Sequence, residues 1–395
     1  MTDRRLRIAF VYDALFPYVK GGAERRYHEL ARRLSRRHDV HMVSWTWWNG
    51  APDESLDGLT LHGVGKPPAL YGTDGKRTIR EAAAFSARAL PVLLRGKWDV
   101  IDCSATPYLP LVSTWLASRL TGTRLTATWH EFWGEHWRTY LPERPMVARV
   151  AMALESACRR LGDDVVAVSD FTAAQLALPD GRVQVVPNGI SLPEIDAAPL
   201  PGDPADVVYV GRLIDEKRVD LLLDAAARVA HRVPGVSYSI IGSGPEAGAL
   251  QARSVALGIA DRVRFHGHLE AAETYGRIKA ARLLVLPSIR EGFGMAVAEA
   301  QAAGTVPVVV RSPHSGAADL IRDGVDGLVV TPTAAALADA LATALADPGR
   351  LQAMGQAARA TGMNRDWEHL ADRMETLYRG PVAAITPIPS AESTS

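Results

Sequence analysis

Cysteine is nearly absent from this chain: two residues, Cys103 and Cys158, in 395. That excludes a disulfide scaffold, gives no basis for a cysteine-built zinc cluster, and fits a reducing, cytoplasmic setting. Net charge is missing too, since 44 Lys and Arg are matched by 44 Asp and Glu. The basic excess of a general nucleic-acid binder is therefore not there. No apolar run reaches the ~18 residues of a membrane-crossing helix. The first such run, residues 8–12, is too short for a signal-peptide core and is soon broken by Asp13 and Pro17. Membrane contact, if any, is expected to be peripheral, at the inner membrane face. What the chain does have is 47% hydrophobic and 22% charged residues, the profile of a soluble globular protein. Its length suits two to three domains.

Short β-branched runs alternate with longer helical patterns. Strands are expected at 6–12, 39–45, 99–103, 124–129, 165–168 and 184–186, with helices at 22–37, 76–95 and 145–161. In the first helix Ala23, Tyr27, Leu30, Ala31 and Leu34 share one face. The rhythm breaks at a proline-rich stretch, 193–206, that reads as a linker. It restarts with strands at 207–210, 237–241, 263–265, 283–286, 306–310 and 327–330. Helices are expected at 216–232, 245–257, 295–303 and 334–346. Such alternation implies parallel sheets covered on both faces. The chain thus divides into an N-terminal Rossmann-like domain (1–192), the linker (193–206), a second Rossmann-like domain (207–364), a last helix (365–380) and a Pro/Ser-rich tail (381–395) expected to be disordered. Ligands of such sheets sit beyond the carboxyl ends of the strands, so the loops after strands are where chemistry belongs.

The most informative stretch runs from Leu284 to Gly304. Its helix is almost wholly small and apolar, hence buried, and Glu299 is the one charge inside it. A buried carboxylate needs donors, and two sugar hydroxyls would supply them; an arginine on a neighbouring helix is the plain alternative. Glu291 precedes that helix, Gly292 and Gly294 permit close backbone approach, and the free N–H groups of the helix start near Phe293 and Met295 make an anion site. A second stretch, Gly211-Arg212…Lys217-Arg218, sets two cations around a helix start, where the dipole disfavours them. A diphosphate would outweigh that repulsion, with Arg212 bidentate and Lys217 a point charge; a surface pair between Arg212 and Asp215 or Glu216 is the bland reading. Gly21-Gly22 opens the first helix and offers its N–H groups to an anion or to an acceptor. Gly242-Ser243-Gly244 is as well read as a plain turn, and it lacks the third glycine of a dinucleotide fingerprint.

In the first half, His130 ends a strand and could donate to a hydroxyl or a leaving phosphate, or act as a base. Trp129, Phe132, Trp133, Trp137 and Tyr140 crowd around it; aromatics in a cleft form faces for sugars or flat acceptors, or they simply pack under a loop. The first helix also carries Arg25, Arg26, Arg32, Arg33, Arg36 and Arg37 off its apolar face. A solvated face is the default there, and weak attraction to anionic lipid the alternative.

Taken together, Gly211-Arg212…Lys217, Gly242-x-Gly244-Pro245 and Glu291-x-Phe293-Gly294…Glu299 resemble the retaining GT-B glycosyltransferases of family 4. Gly21-Gly22-Ala23-Glu24, His130 and Val166-Ala167-Val168-Ser169 match the family's first domain, and the likeness spans residues 6 to 377. The resemblance implies an α/β GT-B fold, two Rossmann-like domains with parallel sheets facing a central cleft, the last helix crossing back to the first. It implies Arg212 and Lys217 on the diphosphate of a nucleotide sugar and Glu299 on the ribose. It puts Glu291 with Gly292, Phe293, Gly294 and Met295 on the donor sugar and β-phosphate, and Gly211, Gly242, Gly244, His268 and Leu269 around the nucleotide. From the first domain, Gly21 and Gly22 would close over the phosphates and His130 would sit near the sugar; Trp129, Trp133 and Trp137 are read from their aromatic character as acceptor contacts, and Lys20, unusual before the glycine pair, could favour a particular acceptor. One departure is Arg218, where the family usually has glycine, which puts the local turn in doubt. No Asp-x-Asp of the metal-binding kind ends a strand, so no metal and no cofactor are expected; the nucleotide sugar is a co-substrate, and a small molecule, a lipid-linked sugar or a glycan is the acceptor. Same-face attack, with the leaving phosphate taking the acceptor proton, is the implied route to retention. The competing readings are a sugar-nucleotide epimerase of similar fold, which needs no acceptor, and a non-catalytic nucleotide-sugar-binding partner subunit.

Overall fold

The computed structural model describes residues 4–70 and 78–380, so the expected tail at 381–395 and the first residues of the helix expected at 76–95 lie outside the described residues. The chain forms two compact units, one holding the residues through Asn188 and again from Trp367, the other Gly189–Asp366.

In the first unit the strands are β1 (Arg7–Val11), β2 (Asp39–Ser44), β3 (Asp53–Leu56), β4 (Leu59–Gly63), β5 (Val100–Ser104), β6 (Arg124–Trp129), β7 (Asp164–Ala167) and β8 (Val183–Val185). They form one sheet in the order β3-β4-β2-β1-β5-β6-β7-β8. Every pairing is parallel except β3 with β4. That edge hairpin was not expected. Its turn is Asp57-Gly58, both at positive φ, the backbone that suits a two-residue hairpin. Side chains alternate faces along β1. Ile8 and Phe10 pack with Tyr27, Leu30, Leu34, Trp367, Met374 and Leu377 on one side, while Ala9 and Val11 pack with Phe85, Leu93, Leu111 and Trp129 on the other.

The last helix, Trp367–Arg379, lies beside the first, Gly22–Leu34. The expected solvated arginine face holds for Arg36 and Arg37, which stay exposed, but not for Arg26 and Arg33, which are buried. Arg33 pairs with Glu29 and Glu368, Arg36 with Glu368, and Arg37 with Asp372 and Glu375. Arg26 is wholly buried. It donates to the Pro187 carbonyl (2.7 Å) and to Asn188 Oδ1 (3.2 Å). Carboxylates of the returning helix thus pair with three of these arginines. Beneath both helices, buried Asp102 on β5 accepts from Tyr378 (2.5 Å), Thr128 (2.8 Å) and Tyr27 (3.1 Å). Burial pushes the Asp102 carboxyl up, against the pull of these donors.

In the second unit, β9 (Val207–Val210), β10 (Tyr238–Ile241), β11 (Val263–Gly267), β12 (Leu283–Leu286), β14 (Val306–Val310) and β16 (Leu328–Val330) form a parallel sheet; β13 (Arg290–Glu291) and β15 (His314–Ser315) make a separate two-stranded bridge. The order β11-β10-β9-β12-β14-β16 is the Rossmann order, with its topological switch between β9 and β12. The proline-rich stretch expected as a bare linker opens with a helix, Leu192–Ala197. Pro193 sits in its first turn, where no N–H is needed. Ile195 is buried, and Lys279 caps the helix end by donating to the carbonyls of Ile195, Asp196 and Ala198.

Candidate functional site

In the second unit the site grows from the two loops that flank the switch point. The loop after β9 runs through Gly211 and Arg212 into a 3-10 turn, Asp215–Lys217; the next helix starts at Val219. Lys217 therefore sits before that helix and not in its first turn. The loop after β12 reaches Arg290–Glu291, which is held by its bridge to His314–Ser315, and Ile289 N–H donates to the Glu216 carbonyl (3.0 Å). The two loops thereby lock together, and Lys217 Nζ meets Glu291 Oε1 at 2.5 Å, with the Arg290 carbonyl at 3.5 Å. Both side chains are largely buried, 14% and 16% exposed, so this pair is far less screened than a surface bridge.

Arg212 is exposed, and among the described residues no carboxylate pairs with it; the bland reading, a bridge to Asp215 or Glu216, is not what forms. Its carbonyl accepts from the buried Tyr209 hydroxyl (2.9 Å). Burial, aided by Glu291, raises the Tyr209 pKa, so that phenol remains a donor. Sequence reasoning missed Tyr209, which sits in an unbroken apolar strand with no motif to mark it.

Arg218 resolves the doubt about the turn. It adopts a left-handed backbone, φ 49°, the conformation glycine would take without cost. Its guanidinium then closes onto Asp220 at 3.0 to 3.2 Å.

The helix Met295–Ala303 has the expected bounds, and all its residues but Met295, Glu299 and Ala303 are buried. Met295 and Glu299, four residues apart, share the less buried face. Glu299 is half-buried and accepts from the Tyr275 hydroxyl (3.3 Å). Tyr275, on the helix Ala271–Ala280, is a second residue that sequence reading missed. Gly294 caps the buried helix at φ 97°, with Phe293 buried beside it and Gly292 half-buried. Gly211, Gly242 and Gly244 have a packing reason. A Cβ on Gly242 would strike the Gly211 carbonyl, one on Gly244 the Leu213 carbonyl, and one on Gly211 the Tyr209 hydroxyl. These glycines let two loop backbones pass in contact. His268 is exposed and Leu269 half-buried after β11.

In the first unit, Gly21 is the N-cap of the first helix and exposed, as is Lys20; Gly22 is half-buried. His130 follows β6 and meets the Tyr27 ring edge-on at 5.9 Å. Its Nε2 is buried with no hydrogen-bond partner. Burial, reinforced by Arg26, lowers its pKa to about 3, so His130 is a neutral imidazole and a poor base at ordinary pH. Trp129 corrects the expectation of acceptor contact: it shares the alternation of Leu125 and Ala127 and is fully buried in the core against Tyr108 and Phe132. Trp133 and Trp137, by contrast, are half-buried and packed together at 4.7 Å between ring centres, with Tyr140 edge-on to Trp133 at 4.7 Å. Among the described residues no three His, Cys, Asp or Glu converge as a metal site, and no helix is long and apolar enough to cross a membrane.

Residues 20–194 match the family model for Glycosyltransferase Family 4, and residues 193–361 match that for glycosyl transferases group 1. The chain is 31% identical to a GDP-mannose-dependent α-(1-6)-phosphatidylinositol monomannoside mannosyltransferase of Mycolicibacterium smegmatis, over 92% of this chain and 96% of that one. It is 30% identical to a D-inositol 3-phosphate glycosyltransferase of Segniliparus rotundus, over 82% and 76%. Among solved structures it resembles a sucrose-phosphate synthase from Thermosynechococcus elongatus (TM-score 0.79, 22% identity, 95% and 98% covered). It also resembles the Anabaena protein HepE, solved with UDP and glucose (TM-score 0.72, 21% identity, 94% and 99% covered). These structural likenesses are GT-B in fold. With the Lys217–Glu291 loops at the switch point of one Rossmann-like unit and His130 at a strand end of the other, the chain belongs to the family 4, group 1 glycosyltransferases.

Proposed function

We propose that this chain moves a hexose from a nucleoside-diphosphate sugar to an acceptor hydroxyl, with retention at the anomeric carbon and without a metal ion. The observation that carries the reading is the convergence of Lys217 on Glu291 in the loop beyond an exposed Arg212 that, among the described residues, has no carboxylate of its own. A cation left without a protein partner at the carboxyl end of a parallel sheet is suited to an anionic ligand. Arg212 and Lys217 neutralise the diphosphate, and Glu291 holds the ammonium in place and reaches the donor sugar. Glu299, steadied by Tyr275, accepts from the ribose hydroxyls. The N–H groups at the start of Met295–Ala303 face the β-phosphate. As the bond from the anomeric carbon to the phosphate oxygen breaks, negative charge grows on that oxygen, and fixed cations stabilise it by several kcal/mol. The acceptor oxygen attacks the anomeric carbon from the same face, and its proton passes to the departing phosphate. His130, neutral, donates through Nδ1 to a sugar hydroxyl and is not the base. Gly21, Gly22 and Lys20 contact the phosphates and acceptor, and Trp133 and Trp137 supply the acceptor face.

GDP-mannose is the donor to try first, since the mannosyltransferase relative is named for it. The test incubates the protein with GDP-mannose, UDP-glucose or dTDP-glucose, with and without inositol and mannoside acceptors and with and without EDTA. Mass spectrometry detects the product, and the anomeric coupling in its NMR spectrum reports the configuration. A retained anomer formed equally in EDTA is expected. An inverted product, a requirement for divalent metal, or epimerised donor with no acceptor consumed overturns the proposal.

A further inference from the structure

The aromatic loop after β6 hangs from a carboxylate that the proposed chemistry does not use. Glu155 lies on the helix Pro145–Cys158 and is completely buried. Its Oε1 accepts from the Trp133 backbone N–H (2.7 Å) and the Tyr108 hydroxyl (2.5 Å), and its Oε2 accepts from the Gly134 backbone N–H (2.7 Å). Burial pushes the carboxyl up, and these donors pull it back. Two consecutive backbone amides thus point into the protein and close on one side chain. Gly134 takes the left-handed φ of 51° that turns the second amide inward. With its backbone fixed, the loop presents Trp133, Trp137 and Tyr140 as a half-buried face three to ten residues beyond His130.

We infer that Glu155 is a positioning residue for acceptor recognition, and that the moiety laid on the face it supports is a pyranose or cyclitol ring. Such a ring has an apolar face of C–H groups that fits an indole pair and an equatorial rim of hydroxyls that stays in water. A charge-assisted bond to each amide makes the support stiff, so loss of the carboxylate is felt in the set of the indoles more than in the global fold. This inference rests on the acceptor role proposed for Trp133 and Trp137. It is independent of the donor loops, which lie in the other unit.

The test titrates the full chain with methyl α-D-mannopyranoside and with myo-inositol, read by tryptophan fluorescence, while GDP binding is followed by calorimetry. Wild type binds one of the two sugars saturably, and Trp133→Ala abolishes the signal. Glu155→Gln, which turns an acceptor toward one amide into a donor, weakens sugar binding about tenfold, the scale of one lost charge-assisted bond, and leaves GDP affinity within about twofold. Tyr108→Phe removes a donor to Glu155 but keeps both loop amides on it and keeps the ring that packs edge-on against Trp137 (6.2 Å), and leaves sugar binding within about twofold. Should Glu155→Gln fail to fold, Glu155→Asp, which keeps the charge but draws the carboxylate back from both amides by one methylene, gives a loss in the same direction. No saturable binding of either sugar to wild type, or equal loss of sugar and GDP affinity in Glu155→Gln, overturns the inference. GDP-mannose turnover, measured in parallel on wild type, judges the donor reading separately.

Discussion

Replacing His130 with Asn gives a calculable change in the acid sensitivity of the fold. In the folded chain His130 titrates at about 3 because it is buried and faces Arg26; in the unfolded chain its pKa is about 6.5. Between those values the unfolded chain binds a proton that the folded chain does not. Stability therefore falls as the pH drops below about 6.5, and the loss is complete near the folded pKa. At pH 5 the difference is about 1.5 pH units below the unfolded value, or about 2 kcal/mol at ~1.36 kcal/mol per unit. His28, His38, His41 and His266 are shifted in the same direction, all chiefly by burial. They are present in both proteins and cancel in the comparison. Urea unfolding at pH 7.5 and 5.0 measures it: wild type loses about 2 kcal/mol more than His130→Asn across that interval. A difference under about 0.5 kcal/mol refutes the buried, neutral imidazole. So does a histidine ring proton assigned to His130 that titrates near 6.5 by NMR.

Three further outcomes follow from the geometry. Lys217→Ala and Glu291→Ala each lower turnover tenfold or more, the loss of one fixed transition-state charge, and circular dichroism confirms that the variants fold. Arg218→Gly is tolerated within about 1 kcal/mol, because relief of the left-handed backbone offsets the lost Asp220 pair, whereas Arg218→Val costs about 2 kcal/mol; thermal melts separate them. Gly242→Ala cannot be accommodated, since its methyl would overlap the Gly211 carbonyl at φ 136°; loss of soluble protein or a Tm drop above about 5 °C is expected, and a wild-type melt counts against the close packing of those loops.

Strong local patterns were legible. The strands Arg124–Trp129, Val207–Val210, Leu283–Leu286 and Val306–Val310 and the helices Met295–Ala303 and Ala334–Ala346 have the bounds their periodicity dictates. Two features carried a signal that went unread. Asp57-Gly58 between two short alternating runs marks the edge hairpin, and alternation along β6 already puts Trp129 with Leu125 and Ala127 in the core. Others had no local signal. That Arg33, Arg36 and Arg37 are matched by Glu368, Asp372 and Glu375 depends on a helix more than 300 positions away. Glu155 looks like any glutamate on an amphipathic helix until the loop's amides are seen to close on it. Lys217 and Glu291 stood out for their charge and spacing, but their pairing is a product of strand order, which places β12 beside β9.

The partnership of Asp102 with Tyr378 has a consequence for synthesis on the ribosome. The two residues are 276 positions apart, and at about 5–20 residues per second the carboxylate waits on the order of 15–55 s for that hydroxyl to emerge. Throughout that delay the opening lobe lacks the segment that covers Phe10 and Tyr27, while the contiguous lobe between has every part it needs as soon as Asp366 leaves the tunnel. The later-made half is thus free to mature first, and the earlier-made half is completed last.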